Sequence, residues 1–224
     1  MDNAVRFDSA LMVENGPGAW SLSQESVDLN SYLFAEKGYL AELAEVLGKS
    51  QEAEALRSEA EALGGLIRSD MFDEETGYFY DITLDSKEPI RVQGPEGWIP
   101  LWAGVATPEQ AERVALVMTD PAKFAGKVPF PTLAMDHPEF DPMNGYWRGP
   151  VWLDQAYFAV KALERYGFSR EAEELSGRLL DSPAGLTGGG AIFENYHPVT
   201  GEGLNAPHFS WSAAHLLMLI EEGW

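Results

Sequence analysis

Three stretches of the chain gather the residue types that carbohydrate chemistry needs. The first is Met1-Asp2-Asn3-Ala4-Val5-Arg6-Phe7-Asp8. The second is Gly145-Tyr146-Trp147-Arg148-Gly149-Pro150-Val151-Trp152-Leu153-Asp154-Gln155. The third runs from Phe193-Glu194-Asn195-Tyr196-His197 through Gly201 to Ala206-Pro207-His208-Phe209-Ser210-Trp211 and on to His215. Each combines carboxylates, aromatics and glycines or small residues. Aromatic faces stack on the apolar faces of pyranose rings, and carboxylates or an arginine bind hydroxyls through charge-assisted hydrogen bonds. Two carboxylic groups then suffice to hydrolyse a glycosidic bond: one protonates the leaving oxygen, while the other activates water or attacks. The same aromatics could also fill a plain helical core, and composition alone leaves both readings open. Walker, HExxH and GxSxG patterns are absent. The acidic run over 73–81 has its glycine misplaced for an EF-hand, so a polar turn is expected there.

Helices must position these stretches. Leu29, Leu33, Leu40, Leu43 and Leu47 recur at helical spacing and predict an amphipathic helix over roughly 27–47, weakened by Gly38. Ser50 is a candidate N-cap for a second helix with Ala53, Leu56, Ala60, Leu63 and Ile67 as its stripe; Gly64 and Gly65 threaten to shorten it. Thr107 and Gln110 have capping-box spacing, with Pro108 in the first turn of a third helix that turns Ala111, Val114, Ala115 and Met118 inward. The run over about 151–166 is apolar nearly all round and reads as a helix buried on several sides. A fifth helix follows Ser169 with Ala172, Leu175 and Leu179 in phase, and a last one covers about 210–221. A short strand pair is expected around 77–82. The spans 84–100, 120–150 and 183–209 read as long loops, which in a compact domain are usually functional.

Composition sets the bounds. The chain has 224 residues, 45% of them hydrophobic, enough for a sizeable core in one domain over 1–224. No apolar run approaches the ~20 residues of a membrane span, and the first residues lack a basic head followed by an apolar stretch. A cytoplasmic location is therefore the default expectation. With no cysteine, disulfides, thiolate metal sites and a cysteine nucleophile are excluded. The net charge of −21 disfavours nucleic-acid binding. It reads as an acidic solvated surface or, alternatively, as adaptation to high salt. No cofactor, metal or membrane partner is expected; the expected partner is a small sugar or oligosaccharide.

The segments GYWRGPVWLDQAY, ENYHPVTGEG and FSWSAAHLLML are similar to the C-terminal signatures of glycoside hydrolase family 63. SVDLNSYLFAEK, DEETGYFYD, GWIPLWAG and FPTLAMDHPEF extend the resemblance, in order, through essentially the whole chain. The family includes processing α-glucosidases and mannosylglycerate and glucosylglycerate hydrolases. The resemblance implies an (α/α)6 barrel, mainly α, and an inverting acid/base mechanism on small α-linked glucosides or mannosides. It places the general acid at Asp2, with Asn3, Arg6 and Asp8 continuing the match, and the general base at Glu194. It also implies that Trp147, Arg148 and Gly149 line the sugar pocket, with Trp152 and Gln155 behind them. Tyr196 would hold the Glu194 side of the cleft, and Trp98 and Trp102 would close it.

The family's barrel needs roughly twice this length, and the Glu-Ser-Gly that normally precedes the acid has no counterpart here. The expectation is therefore an incomplete toroid, about half of six helical hairpins. Its open apolar seam predicts a homo-oligomer that covers it, and weak or absent turnover by the chain alone. Two other readings stay open: a carbohydrate-binding remnant without catalysis, and a helical scaffold for protein partners.

Overall fold

The computed structural model describes residues 7, 10–184, 186 and 188–224. Among the described residues seven α-helices carry the fold: α1 (Val27–Val46), α2 (Ser50–Asp70), α3 (Ile99–Ala103), α4 (Pro108–Met118), α5 (Leu153–Arg165), α6 (Ser169–Asp181) and α7 (Ser210–Glu221). Eight short strands pair two by two: β1 (Met12–Gly16) with β2 (Ala19–Leu22), β3 (Gln24–Glu25) with β6 (Ile82–Thr83), β4 (Phe72–Asp73) with β5 (Tyr78–Phe79), and β7 (Phe193–Tyr196) with β8 (Gly203–Pro207). All four pairings are antiparallel.

The helices form two layers. In one, α1 packs on α3, α3 on α5 and α5 on α7. In the other, α2 lies against α1, α6 against α5, and α4 against β5. The core between them holds Ile67, Trp98, Leu101, Val114, Met118, Phe124, Phe130, Val160 and Leu163, all without solvent exposure. This is a mainly helical half of an (α/α) toroid. No helix among the described residues is long and apolar enough to cross a membrane.

Local sequence explains most boundaries. Thr107 accepts from the Gln110 amide at 3.2 Å, and Gln110 returns a bond to the Thr107 N–H at 3.1 Å, so the predicted capping box starts α4. Ala111, Val114, Ala115 and Met118 all face the core, as do Ala172, Leu175 and Leu179 on α6. Gly64 and Gly65 do not shorten α2; Gly64 lets the helix approach Phe34 and Val105, where a Cβ would sit 3.0–3.1 Å from their side chains. Two spans read as loops contain elements: α3 lies at the end of the first, and the β7–β8 hairpin in the last. The β1–β2 hairpin was not anticipated.

The largest departure concerns α1. Its predicted leucine stripe does not face the core. Val27, Ser31, Ala41 and Ala44 are buried instead, while Leu29, Leu33, Leu40, Leu43 and Leu47 are exposed.

Candidate active site at the β7–β8 hairpin

Glu194 sits where the β7–β8 register slips. Phe193 pairs with Pro207 but Asn195 with Leu204, so β8 carries one residue more opposite Glu194. Such a bulge re-aims a side chain and is common beside active sites. Asn205, within the bulge, holds φ at 59° and bonds Asn195 Oδ1 through Nδ2 at 2.9 Å. The bulge is pinned from two sides. Ser212 Oγ, in the first turn of α7, donates to the Glu194 carbonyl at 3.0 Å. The Tyr196 and Val151 backbones exchange N–H···O bonds of 2.8 and 2.9 Å.

The Glu194 carboxylate is half-buried. Tyr146 donates its hydroxyl proton to Oε1 at 2.8 Å, and the Ala206 N–H approaches Oε2 at 3.4 Å. Tyr146 itself holds a left-handed φ of 55°. Asn205, in the bulge, and His208, just beyond β8, add two more non-glycine residues in this sparsely populated region, at φ 59° each. Strain of this kind persists where the surroundings over-determine it, and it concentrates at functional sites.

Beside the carboxylate lies an aromatic wall. Trp147 and Trp152 stack with ring centroids 4.1 Å apart and planes 7° from parallel. Tyr146 meets both edge-on, at 5.9 and 5.0 Å, and Trp152 donates Nε1–H to the Tyr146 carbonyl at 3.0 Å. Trp211, on α7, contacts Trp152 edge-on at 5.7 Å. Because Trp147 and Trp152 cover each other and are both buried, the open aromatic surface here belongs to Trp211 and part of Tyr146.

The turn before the wall is rigid. Asp141 Oδ1 accepts from the amides of Asn144 and Met143, at 2.9 and 3.1 Å. The Asn144 amide is the leading reason its carboxyl is held below the usual range; partial desolvation opposes it, and the Met143 amide and the Arg148 charge assist. Gly149 makes the close approach possible, since a Cβ there would lie 2.7 Å from the Asp141 carbonyl oxygen. Arg148 is committed to Glu139 by a 3.0 Å ion pair.

The remaining predicted residues fall elsewhere. Gln155 donates to Asp154 at 2.8 Å, and Asp154 is a buried carboxylate on α5. Tyr196 is fully buried and accepts from the Phe193 amide at 3.0 Å, so it braces the hairpin and offers a ligand no surface. Trp98 is likewise fully buried against Phe124 and Phe130, which corrects its expected place at a cleft mouth: burial leaves it nothing to present to a sugar. Trp102 packs between Tyr32 of α1 and Phe158 of α5. Asp2, with Asn3, Arg6 and Asp8, lies outside the described residues. The residues that site selection from sequence passed over are Tyr146 and Trp211. Tyr146 is the immediate neighbour of Trp147 in the same motif, which was the available signal; Trp211 read equally well as helix packing.

A carboxylate fixed by a tyrosine hydroxyl beside an aromatic wall has the chemistry to engage a sugar ring and its hydroxyls. The chain belongs to the mannosylglycerate hydrolase MGH1-like glycoside hydrolase domain family, whose profile matches residues 2–212. It is 30% identical over 219 residues to the mannosylglycerate hydrolase of Rubrobacter radiotolerans, covering 97% of this chain and 47% of that protein. It is 34% identical over 146 residues to the mannosylglycerate hydrolase of Thermus thermophilus, covering 64% of this chain and 33% of that one. Among solved structures, the family 63 mannosylglycerate hydrolase from Thermus thermophilus in complex with glucose superposes with a TM-score of 0.71 at 28% identity, over 88% of this chain and 47% of that one. The chain thus spans half or less of the length of these relatives.

Proposed function

We propose that this chain carries the catalytic carboxylates of an inverting glycoside hydrolase acting on small α-linked mannosides or glucosides. Glu194 is the general base that activates water, and Asp2 is the general acid. The observation that carries the reading is the Tyr146–Glu194 bond at a strained hairpin beside the tryptophan wall. In that setting the tyrosine hydroxyl fixes which carboxylate oxygen faces the reacting water, and Trp211 offers a ring face to the sugar. Inverting geometry requires the two carboxyl groups about 6.5–9.5 Å apart, leaving room for that water.

The names of the relatives guide the choice of substrate. Besides the mannosylglycerate hydrolases, a glucosylglycerate hydrolase of Mycolicibacterium hassiacum is 26% identical over 96% of this chain and 47% of its own length. Mannosylglycerate and glucosylglycerate are therefore the substrates to test. Arg148, the expected anchor for a glycerate carboxylate, is held by Glu139, so binding such a group requires that pair to open. The same reading has another copy of the chain cover the apolar helix faces left open at the ends of the α1–α3–α5–α7 row.

The test is nuclear magnetic resonance of both substrates incubated with the wild type and with Glu194→Gln. The expected result is slow release of the inverted, β-configured sugar by the wild type and none by the variant, with circular dichroism unchanged. Equal release by both proteins would remove Glu194 from the reaction. Calorimetric binding of either sugar without release by the wild type would leave a binding module in place of an enzyme.

A further inference from the structure

The turn, hairpin and helix that frame Glu194 carry one guanidinium between them, and it is already paired. Arg148 is the only lysine or arginine between Lys127 and Lys161, and the β7–β8 hairpin and α7 contain neither residue type. Its backbone is locked: the Arg148 N–H donates to the Gly145 carbonyl at 2.9 Å, and the Arg148 carbonyl accepts from the Asp141 N–H at 2.8 Å. Its side chain meets Glu139 Oε2 through Nη1 at 3.0 Å. Glu139 stands on a turn of its own. Its N–H donates to His137 Nδ1 at 3.1 Å, and the Phe140 N–H donates to the His137 carbonyl at 3.0 Å. Two fixed turns therefore face each other, and the ion pair is the movable part between them. The two side chains are 33% and 49% exposed, so water can replace either partner and the pair opens at little cost.

We infer that Glu139 is a specificity-determining residue: it competes for Arg148 with the carboxylate of an anionic aglycone. A small 2-hydroxy acid such as a glycerate is then admitted only by taking the place of Glu139, while a neutral polyol meets no such competitor. The charges around the pair favour this reading. A second carboxylate brought to the same guanidinium meets the charge of the first, and like charges a few ångströms apart oppose each other. Glu139 also lines a cavity of about 380 Å³, together with Gln24, Asp81, Thr83, Glu96 and His137. That volume is within the range of small-molecule sites. Its described lining adds two carboxylates to Glu139 and contains no lysine or arginine, so it suits hydroxyl groups, and an anion is held only where it reaches Arg148. The inference rests on the reading of this site as a sugar site and supplies that reading with its aglycone selectivity.

The test is binding, with no turnover needed. D-glycerate and glycerol are titrated into the wild type, Glu139→Gln and the double variant Glu139→Gln/Arg148→Met. Ionic strength is matched throughout, because a chain of net charge −21 repels any anion at long range. Calorimetry is expected to show D-glycerate bound about 5-fold more tightly by Glu139→Gln than by the wild type, the most that a partly exposed ion pair is worth. Glycerol affinity is expected to stay the same, and the gain for D-glycerate to vanish in the double variant. In the wild type itself, the Nε–H resonance of Arg148 is expected to move with D-glycerate and not with glycerol. Equal D-glycerate affinity in the wild type and Glu139→Gln, including none in either, overturns the proposal. So does a gain that survives in the double variant, which would reduce the effect to net charge. If Glu139→Gln lost its circular dichroism signal, the wild-type resonance would decide alone, and its failure to move would overturn the proposal as well. Glycoside turnover that Glu194→Gln abolishes, alongside equal D-glycerate affinity with and without Glu139, would keep the enzyme and remove only the competitor.

Discussion

Helices α1 and α5 belong to the same row and are both rich in apolar residues, yet they spend them differently. In the row, α5 has neighbours on both sides, α3 and α7, with α6 behind it. It buries Leu153, Ala156, Tyr157, Ala159, Val160, Ala162 and Leu163, and even the carboxylate Asp154. At the end of the row, α1 packs mainly on α2 and α3, and of its leucines none is buried. The difference teaches that apolar content does not by itself decide burial; the elements packed around a helix do. What changes is the energetics: a leucine is buried and contributes to folding in α5, while in α1 it stays exposed and contributes little.

The sharpest way to break this comparison is to truncate one leucine in each. Leu163→Ala removes a fully buried side chain and is expected to cost about 2–5 kcal/mol of folding stability. Leu43→Ala removes one that is 59% exposed and is expected to stay within about 0.5 kcal/mol, provided the measurement is made on dilute, monomeric protein. Urea denaturation at low concentration reads both. Equal losses would mean that α1 is covered in solution by something within the chain.

A second comparison lies where the site turn enters α5. Gly149 lets the Asp141 carbonyl come so close that an added Cβ would overlap it, and its φ of 154° is one that side chains rarely adopt. Gly149→Ala is expected to cost about 1–3 kcal/mol, as overpacking does, and to loosen the Tyr146–Glu194 end of the hairpin as well. Thermal melting reads the first effect. If the melting temperature stayed at the wild-type value, the turn would be softer than its contacts imply. Tyr146→Phe isolates the second effect by removing only the hydroxyl: a hydrogen bond to a charged group contributes about 1.5–3 kcal/mol to stability. Turnover of whichever glycoside is cleaved is expected to fall about 10-fold or more, at temperatures well below a modestly lowered melting point.

How far the sequence carried can be judged from the same helices. The capping box of α4 and the inward faces of α4 and α6 were legible because they depend on residues a few positions apart. The direction of the α1 stripe was not. Periodicity says which residues share a face, while the face that is buried depends on which neighbours exist. Short elements escaped for a related reason: α3 and the strands of the β7–β8 hairpin are five residues or fewer, too short for a period to show. At the site, Trp147 and Trp152 were legible as an aromatic cluster, but not that they stack on each other and leave Trp211 as the open face. Trp98 was expected at the cleft because the family resemblance implied it, and only packing against Phe124 and Phe130 decides otherwise.

The smallest expected effect tests the interior character of α5 from the electrostatic side. Asp154 is buried, and burial is the leading reason its carboxyl titrates above the ordinary carboxylate range; the bonds from Gln155 and the charge of His215 pull the other way without winning. With the folded value above the unfolded one of about 3.9, the native state binds the extra proton between the two. Stability therefore falls as pH rises through that window and stays at the lower level above it. Asp154→Asn keeps the shape and the oxygen that accepts from Gln155 Nε2, and it removes the charge. The expected outcome is a higher melting temperature than wild type at neutral pH, narrowing as pH falls and vanishing below the unfolded value. Asp141 behaves oppositely, since its carboxyl is held low by the Asn144 amide: its contribution is present above the unfolded value and is lost as pH falls through the folded one. If Asp154→Asn lowered the melting temperature at neutral pH, the carboxylate would be held by a compensating partner, and the middle of the row would be less dry than its packing implies.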